Sequence, residues 1–248
     1  MLNKKGVILC GGKGTRLRPA TLTTNKHLLP ILNEPMVLFP LRTLIGMGIT
    51  DIMIVTGGEH IGAFAEFLGD GSDYGVSLTY RVQKEAGGIA QALELTEDFY
   101  THYDGNVVAI LGDNIFEVDK IKKMLSYVTP EDAYVFLQKV SDPRRFGVAT
   151  LSPLRLYPAY VESVVEKPEN PPVNGYAVTG LYIYPKNVFE VIKTLHPSAR
   201  GELEITDVTN EYVKQGKCRG LIYEGFWSDA GTPASLLEVS NWAFNKNT

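Results

Sequence analysis

The chain has 248 residues, of which 44% are hydrophobic and 21% are charged, and its 24 glycines and 14 prolines are spread along the sequence. Such a composition is typical of a folded globular domain and excludes disordered and fibrous proteins. The formal net charge is −4, so the chain has no overall basic field that would hold nucleic acid or an anionic membrane. We therefore expect any anionic ligand to be held by local groups.

The cysteines and the apolar runs indicate the compartment. Cys10 and Cys218 are too far apart in sequence for a disulfide framework or a metal-ligand spacing. No stretch approaches the roughly 20 apolar residues that a membrane helix needs. The apolar run after the N-terminal lysines covers only residues 7–10, which is too short for an export signal. The sequence therefore predicts a soluble, cytoplasmic protein with neither a membrane nor a nucleic acid as partner.

The first half of the chain alternates predicted strands with predicted helices. Short apolar runs predict buried strands of a parallel sheet at residues 7–10, 52–55 and 107–111. Apolar residues at helical spacing predict helices at residues 36–47, 61–68 and 89–95. This alternation predicts βαβ units, whose strands end at one edge of the sheet, where ligands usually bind. That edge would hold residues 11–16, the region of Gln83, and Asp113.

The second half of the chain has longer predicted strands with more alternation, at residues 133–140, 161–166, 176–184 and 218–223. We expect this half of the sheet to be mixed or antiparallel. The proline-rich stretch 168–172 predicts a surface loop between two strands. Thr206 and Thr232 are the predicted N-caps of helices at residues 207–214 and 233–245.

A glycine-rich loop, residues 11–16, follows the first predicted strand. Glycines let backbone N–H groups surround an anion, so the loop is a candidate phosphate-binding site. It does not match the P-loop pattern, because Val7 stands where the first glycine belongs. Leu17 stands where a dinucleotide fingerprint has its third glycine, which disfavours a nicotinamide-dependent oxidoreductase. Taken alone, the loop is equally compatible with a tight turn.

Positive charge continues beyond this loop. Arg16, Arg18, Lys26 and His27 supply three fixed cations and an imidazole within a short stretch of chain. An arginine can bind two phosphate oxygens at once, and a lysine supplies a movable point charge. The cluster therefore favours a triphosphate ligand over a bare turn.

Two aspartates follow predicted strands in the two halves of the chain. Asp113 comes after residues 107–111, and Asp229 lies beside Trp227 just before the last predicted helix. Taken alone, each aspartate also suits a loop or the start of a helix. If both halves line one cleft, the two carboxylates can hold one Mg²⁺, with water and phosphate oxygens completing the octahedron.

A third charged group is formed by Glu166 and Lys167. In a cleft the carboxylate can accept hydrogen bonds from sugar hydroxyls and the lysine can contact a phosphate, although the same pair also suits a plain edge-strand ion pair. Glycine stands beside aromatic residues at 146–147 and at 176–180, a pattern of either packing or a sugar platform.

Together these segments resemble the sugar-phosphate nucleotidylyltransferases. The resemblance is carried, in order, by residues 11–17, 25–30, 82–83, 88–92, 111–114, 145–149, 166–168, 177–180, 200–207 and 229–232. It implies an α/β, Rossmann-like nucleotidyltransferase fold, with a mixed central sheet and helices on both faces. It also implies one domain over residues 1–248, with a nucleotide-binding half at 1–130 and a sugar-phosphate-binding half at 131–248.

The same resemblance implies the reaction of a nucleoside triphosphate with a sugar 1-phosphate, with Mg²⁺ as cofactor. The pattern is most similar to members that use dTTP and glucose 1-phosphate, the first step towards dTDP-sugars such as dTDP-rhamnose. A short form of the family, active as a homo-oligomer, is expected. Longer relatives continue into helices that help to form an allosteric site, so we expect product feedback through that site to be absent or rebuilt.

The resemblance also implies roles for single residues. Arg16 would bind the β- and γ-phosphates, Lys26 would neutralise the α-phosphate, and Lys167 would bind the sugar phosphate. Asp113 and Asp229 would hold Mg²⁺. The implied nucleotide-binding residues are Leu9, Gly11, Gly12, Gly14, Thr15, Arg16, Lys26, Gln83, Gly88 and Asp113. The implied sugar-binding residues are Leu111, Asn114, Gly147, Glu166, Lys167, Val178 and Tyr182.

Base selectivity is expected to depend on Gln83 and the backbone at Gly88. A glutamine amide has both a donor and an acceptor for the N3–H and O4 edge of thymine, and uracil presents the same edge. Imperfect selectivity is therefore expected. The sequence departs from the family pattern at His27, where many relatives have glutamine, at Phe146, where several have tyrosine, and in the absence of prolines after Gln83. A UTP- or CTP-using enzyme and a catalytically silent nucleotide-sensing homologue stay open as alternatives.

Overall fold

The structure, a computed structural model, describes residues 5–154 and 156–247. Its strands are β1 (Lys5–Cys10), β2 (Pro30–Ile31), β3 (Glu34–Pro35), β4 (Asp51–Gly57), β5 (Ser77–Gln83), β6 (Val107–Leu111), β7 (Asn114–Phe116), β8 (Ala133–Gln138), β9 (Gly147–Leu151), β10 (Ala159–Glu166), β11 (Tyr176–Tyr184), β12 (Cys218–Ile222) and β13 (Trp227–Asp229). Its α-helices are α1 (Leu38–Gly46), α2 (Ile61–Leu68), α3 (Ile89–Glu94), α4 (Val118–Met124), α5 (Val188–Lys193), α6 (Ile205–Lys214) and α7 (Pro233–Asn247).

One large mixed sheet organises the part of the chain that the structure describes. Its nine strands lie in the order β5-β4-β1-β6-β11-β8-β12-β10-β9. The β5-β4-β1-β6 portion is parallel, whereas β11 is antiparallel to both β6 and β8. β12 is parallel to β8, and β10 is antiparallel to β12 and to β9. The predicted mixed character of the second half is therefore confirmed.

Helices pack on both faces of this sheet, because consecutive strand residues point to opposite sides. In β1, Ile8 packs into a cluster with side chains of α1, α2 and α4. The preceding Val7 packs into a second cluster with side chains of α3, α5 and α6. Both residues are fully buried. The α/β fold with helices on both faces is thus confirmed.

The predicted elements agree with the structure in most places. Residues 7–10, 52–55 and 107–111 lie in β1, β4 and β6, and residues 176–184 coincide with β11. The stretch 168–172 lies outside the described helices and strands, as predicted for a loop. Among the described residues, sequence reasoning missed β5 and β9, the two edge strands of the sheet, and the short strands β2, β3, β7 and β13.

One of the two predicted helix caps is wrong. Thr232 precedes α7, and its Oγ1 accepts the backbone N–H of Ser235 at 3.2 Å, so it is the N-cap that was predicted. The N-cap of α6 is Glu204, and Thr206 lies inside the helix. The Thr206 hydroxyl instead donates to Oε2 of Glu166 at 2.7 Å, because the start of α6 lies against the end of β10. None of the helices in the described ranges is both long and apolar enough to cross a membrane.

Two helical glycines allow a matched test of packing. A Cβ on Gly46, at the end of α1, would overlap Cγ1 of Val118 in α4, whereas a Cβ on Gly62, in α2, would have no heavy atom within 4 Å. We expect Gly46→Ala to lower the free energy of unfolding by about 1–3 kcal/mol through overpacking. Gly62→Ala should raise it by about 0.5–1 kcal/mol through helix propensity. Urea denaturation measures both, and equal stabilisation by the two changes would contradict the close approach of α1 and α4.

Candidate active site

The loops after β1, β5 and β6 meet at the carboxyl edge of the sheet. Leu9 of β1 is opposite Leu111 of β6, and Gly57 of β4 is opposite Gln83 of β5. Because these neighbouring strands are parallel, their carboxyl ends lie at one edge. The glycine-rich loop, Gln83 and Asp113 are therefore brought together as the sequence predicted.

A buried ion pair joins two of these loops. Nζ of Lys26 contacts Oδ2 of Asp113, and the two side chains are only 15% and 10% exposed. Lys26 begins one turn of 3-10 helix, which Asn25 caps by accepting the backbone N–H of His27 at 2.9 Å. Asn25 Nδ2 donates to the carbonyl of Cys10 at 3.3 Å, which connects this turn to the end of β1.

This pair sets the charge of Asp113. Burial raises the pKa of the Asp113 carboxyl, but the nearby charge of Lys26 and hydrogen bonds from Lys26 and Asn114 outweigh burial. The pKa therefore lies well below its usual value. Asp113 is ionised at neutral pH and can bind a cation.

His27 lies behind the ion pair and is 1% exposed. Its Nδ1 is 2.6 Å from Oδ1 of Asn25. That oxygen also accepts a backbone N–H, so Nδ1 must carry the ring hydrogen. Burial and the charge of Lys26 lower the pKa of His27 to about 3, against the opposing effect of Asp113. His27 is therefore neutral and adds no charge to the cationic cluster.

The second aspartate reaches the same place through the antiparallel pair β7–β13. In this pair Asp229 is opposite Asn114, the residue after Asp113. Arg145 Nη2 donates to both carboxylate oxygens of Asp229, at 3.0 and 2.8 Å. Burial raises the pKa of Asp229, and so does the charge of Asp113, while Arg145 and Arg16 lower it; the pKa stays above its usual value. The structure thus brings the two predicted aspartates together, and each of them is paired with a basic side chain.

A glycine keeps a small space open beside these aspartates. A Cβ on Gly231 would lie 3.0 Å from Nη2 of Arg16 and 3.4 Å from Oδ2 of Asp113. Among residues 5–154 and 156–247, no three His, Cys, Asp or Glu side chains are grouped to hold a metal ion. An ion at this place would take two protein carboxylates and need further oxygen ligands from water or phosphate, which is how Mg²⁺ usually binds.

Asn114 connects the aspartates to the sheet. Its Oδ1 accepts the N–H of Gly180 at 2.9 Å and the indole N–H of Trp227 at 2.7 Å, and its Nδ2 donates to Asp113 Oδ1 at 3.0 Å. Three of its hydrogen-bonding positions are therefore used within the protein. Its position at the cavity wall agrees with the predicted sugar-binding role, but these bonds give it a positioning role first.

Glu166 and Lys167 lie at the end of β10. Lys167 has a φ of 41°, in the left-handed region that residues other than glycine rarely adopt. Oε1 of Glu166 is 2.9 Å from Nζ of Lys167 and 3.4 Å from Nη2 of Arg200. Burial raises the pKa of Glu166, but hydrogen bonds from Lys167 and Thr206 outweigh it, so the carboxylate stays ionised. Backbone strain at a charged cleft residue is typical of a functional site.

Two adjoining cavities form one cleft around these groups. The first contains seven of the predicted nucleotide-binding residues: Leu9, Gly11, Gly12, Lys26, Gln83, Gly88 and Asp113. The second contains Arg16, Asp229 and every predicted sugar-binding residue: Leu111, Asn114, Gly147, Glu166, Lys167, Val178 and Tyr182. Of the predicted residues that the structure describes, Gly14 and Thr15 line neither cavity. The binding roles themselves stay predictions.

The sequence predicts no role in binding or catalysis for several residues that line this cleft, Arg145, Arg200, Thr206 and Trp227, or for Gln91, which hydrogen-bonds to a cleft residue. All of them except Trp227 lie inside segments that carry the family resemblance, so a signal was present. Their partners are distant in sequence: Arg145 pairs with Asp229, and Arg200 pairs with Glu166. Spacing along the chain cannot reveal such pairs.

The sheet and its cleft define a class of protein, an α/β protein with a charged cleft at the carboxyl edge of its sheet, where proteins of this class usually bind their ligands. The family description "Nucleotidyl transferase" matches residues 5–245. The chain belongs to this family.

Named relatives agree with this assignment. A glucose-1-phosphate thymidylyltransferase from Neisseria gonorrhoeae is 43% identical over 242 residues, which cover 96% of this chain and 82% of the relative. A solved structure from Bacillus anthracis, with bound sucrose, is 48% identical and has a TM-score of 0.85, covering 96% of this chain and 94% of that one. A UDP-glucose pyrophosphorylase structure has a TM-score of 0.87 over 99% of this chain and 100% of that one, and at 24% identity it supports the fold alone.

The buried neutral His27 predicts a pH dependence of stability. Its pKa is about 3 in the folded protein, against about 6.5 for an unperturbed histidine, so the unfolded chain takes up a proton first as the pH falls. The contribution of His27 is complete above pH ~6.5 and is lost progressively towards pH ~3. His27→Gln should reduce the slope of unfolding free energy against pH in this window, by at most about 1.4 kcal/mol per pH unit. Urea titrations from pH 7 to 4.5 measure the slopes, and identical slopes would contradict a neutral, buried His27.

Proposed function

We propose that this enzyme transfers a thymidylyl group from dTTP to α-D-glucose 1-phosphate, which gives dTDP-glucose and pyrophosphate. The observation that carries the proposal is the single cleft in which Asp113, Glu166 and Lys167 border both the glycine-loop cavity and the aromatic-walled cavity. Two phosphate-bearing substrates, one in each cavity, could therefore contact the same charged residues. Relatives named glucose-1-phosphate thymidylyltransferase match nearly the whole chain and support this choice of substrates. The product would serve dTDP-sugar synthesis of the dTDP-rhamnose kind.

The two halves of the chain would divide the substrates between them. Residues 1–130 supply the glycine-rich loop, Lys26 and Gln83 to the first cavity. Residues 131–248 supply Glu166 and most of the second cavity. The sheet runs through both halves without interruption, from β6 to β11, which favours one domain.

The chemistry needs no nucleophile from the protein, since the sugar phosphate is already an anion. One of its oxygens attacks the α-phosphorus of dTTP in line, a new P–O bond forms, and the bond to the bridging oxygen of the β-phosphate breaks. Pyrophosphate leaves on the opposite side with the bonding electrons. Catalysis then consists of alignment and charge neutralisation.

Three cations of the cleft would perform these tasks. Arg16, beside Gly231, would bind the β- and γ-phosphates and stabilise the leaving pyrophosphate. Lys26 would turn from Asp113 to the α-phosphate, where negative charge rises during the reaction. Lys167, held at the end of β10, would bind the phosphate of the sugar substrate.

The two aspartates suit Mg²⁺. Asp113 and Asp229 give an oxygen-only donor set, and the charge of Asp113 raises the pKa of Asp229, so a shared cation would relieve their repulsion. When bound, Mg²⁺ would supply positive charge against the phosphates of the nucleotide. The present partners of the aspartates, Lys26 and Arg145, have long side chains that would turn to the anionic substrates instead.

The wall of the second cavity fits a hexose. Phe146 and Trp227 lie with ring centroids 5.1 Å apart, and Glu166 offers an acceptor for hydroxyl groups. Val178 and Tyr182 are buried strand residues that complete the wall. Burial raises the pKa of Tyr182, so its phenol stays protonated and can donate to a sugar oxygen.

The structure favours the alternative functions less than the proposed thymidylyl transfer. A silent nucleotide-sensing homologue would not need the full charged set, yet Arg16, Lys26, Asp113, Lys167 and Asp229 all border the cleft. A UTP- or CTP-using enzyme differs only in the base and ribose contacts. We further propose a homo-oligomer in a reducing, cytoplasmic setting, in which the two buried free cysteines are protected from oxidation.

The reaction is tested by pyrophosphate release from Mg²⁺, α-D-glucose 1-phosphate and each of dTTP, UTP, CTP, ATP and GTP. We expect the fastest release with dTTP and none after addition of EDTA. Because uracil shares the thymine edge, slower release with UTP is expected. The absence of release with every nucleotide would contradict the proposed enzyme, and unchanged release in EDTA would contradict the metal site.

The two neighbouring arginines provide a matched test of the metal site. Arg145 pairs with Asp229, whereas Arg144 pairs with the half-exposed Asp142 outside the cleft. Removing Arg145 frees a carboxylate for a divalent cation, so Arg145→Ala should bind Mn²⁺ several-fold more tightly in the absence of nucleotide. Electron paramagnetic resonance of free Mn²⁺ measures the Kd. Arg144→Ala should match the wild type, and equal affinities for all three proteins would remove Asp229 from the site.

A further inference from the structure

Gln91, on α3, makes a polar contact with the predicted base-reading residue. Its Oε1 accepts a hydrogen bond from Nε2 of Gln83 at 2.9 Å and another from the backbone N–H of Gly87 at 3.1 Å. Gln83 is 7% exposed, so its amide cannot exchange these partners freely with water. The contact therefore constrains how Gln83 meets a ligand.

Two backbone groups make the orientation of both amides unambiguous. The N–H of Gly87 is a donor, so the Gln91 atom that it contacts must be the oxygen. The Gln83 atom facing that oxygen must then be the nitrogen. The same nitrogen lies 3.2 Å from the carbonyl oxygen of Gly88, which can only accept. Both hydrogens of the Gln83 amide are therefore used within the protein.

The remaining polar atom of Gln83 faces the nucleotide cavity. A Cβ on Gly11 would lie 2.7 Å from Oε1 of Gln83, and both residues line that cavity. Gln83 thus offers an acceptor and no donor to a bound base. This corrects the sequence-based expectation that the Gln83 amide would supply both groups, and it leaves the thymine O4 to a backbone N–H such as that of Gly88.

We propose that Gln91 is a positioning residue that sets base selectivity by holding the Gln83 amide with its oxygen towards the base. The inference rests on the proposed function, in which this cavity receives the base. Thymine and uracil carry an N3–H donor that suits the fixed oxygen. Cytosine has an unprotonated N3 acceptor at the same position, so two acceptors would face each other. Sites that leave a buried polar group unpaired reject a ligand more strongly than a methyl difference does.

The test compares dTTP with dCTP, two nucleotides whose bases are of similar size. Binding is measured by calorimetry without sugar phosphate, so that no turnover is needed, and kcat/KM is then measured with glucose 1-phosphate. In Gln91→Met the acceptor is lost and the Gln83 amide can turn its nitrogen to the base. We expect the preference for dTTP over dCTP to fall about tenfold in both measurements.

Two further variants separate positioning from a general structural role. Gln91→Glu keeps an acceptor for both Gln83 and Gly87, so it should retain the wild-type preference. Gln138 is a half-buried glutamine outside the cleft whose Nε2 donates to the carbonyl of Gly225 at 2.8 Å. Gln138→Met is therefore the matched control, and its preference should equal that of the wild type.

Each outcome decides the inference. Loss of preference in Gln91→Met, with preference retained in Gln91→Glu and Gln138→Met, supports it. Unchanged preference in Gln91→Met overturns the role of Gln91 while the proposed function stands. A wild type that binds dCTP as tightly as dTTP overturns it as well. A wild type that binds neither nucleotide overturns the proposed function, and the inference falls with it.

Discussion

The buried ion pair between Lys26 and Asp113 is the interaction on which the cleft depends. A single charge buried at this depth would cost several kcal/mol, and removing one partner of a buried pair leaves the other uncompensated. The parallel register of β1 and β6 brings the two loops together, and Asn25 fixes the turn that carries Lys26. Sheet topology and site electrostatics are therefore one constraint: Asp113 has its basic partner here only because the strands end side by side.

The other carboxylates of the cleft are also paired with basic side chains. Asp229 is paired with Arg145, and Glu166 is paired with Lys167 and Arg200. Every one of these carboxylates already has a cation within reach. A divalent ion and two phosphate-bearing substrates would then exchange partners with these pairs, and no step would leave a buried charge alone. Such exchange costs less than charging an apolar pocket, because the desolvation is already offset by the protein's own counter-charges.

How well the sequence predicts a feature depends on how far apart in sequence the interacting residues lie. Central strands such as β6 are apolar on both faces, so a short apolar run in the sequence is enough to predict them. β5 and β9 lie at the sheet edges, and their sequences mix apolar and polar residues without a clear strand pattern. Thr206 matched a capping pattern, but packing of α6 on β10 turned its hydroxyl to Glu166. The orientation of the Gln83 amide depends on its hydrogen bonds to the carbonyl of Gly88 and to Gln91. A sequence motif contains these residues but does not show which of their atoms are in contact.

Backbone hydrogen bonds join the two cavities. The backbone at residue 203, just before α6, accepts the N–H of Ala90 at 3.1 Å and donates to the carbonyl of Gly87 at 2.8 Å. Gly88, between them, has a φ of 102°, and a Cβ there would overlap the carbonyl of Leu203, so this close approach requires glycine. The loop that carries the proposed base-reading groups is thus hydrogen-bonded to the segment that leads into Thr206 and the second cavity. Because both hydrogen bonds join backbone to backbone, main-chain geometry fixes the spacing between the proposed base pocket and the proposed sugar pocket. In the proposed reaction, side chains such as Gln91 could then tune selectivity without displacing the reacting phosphates.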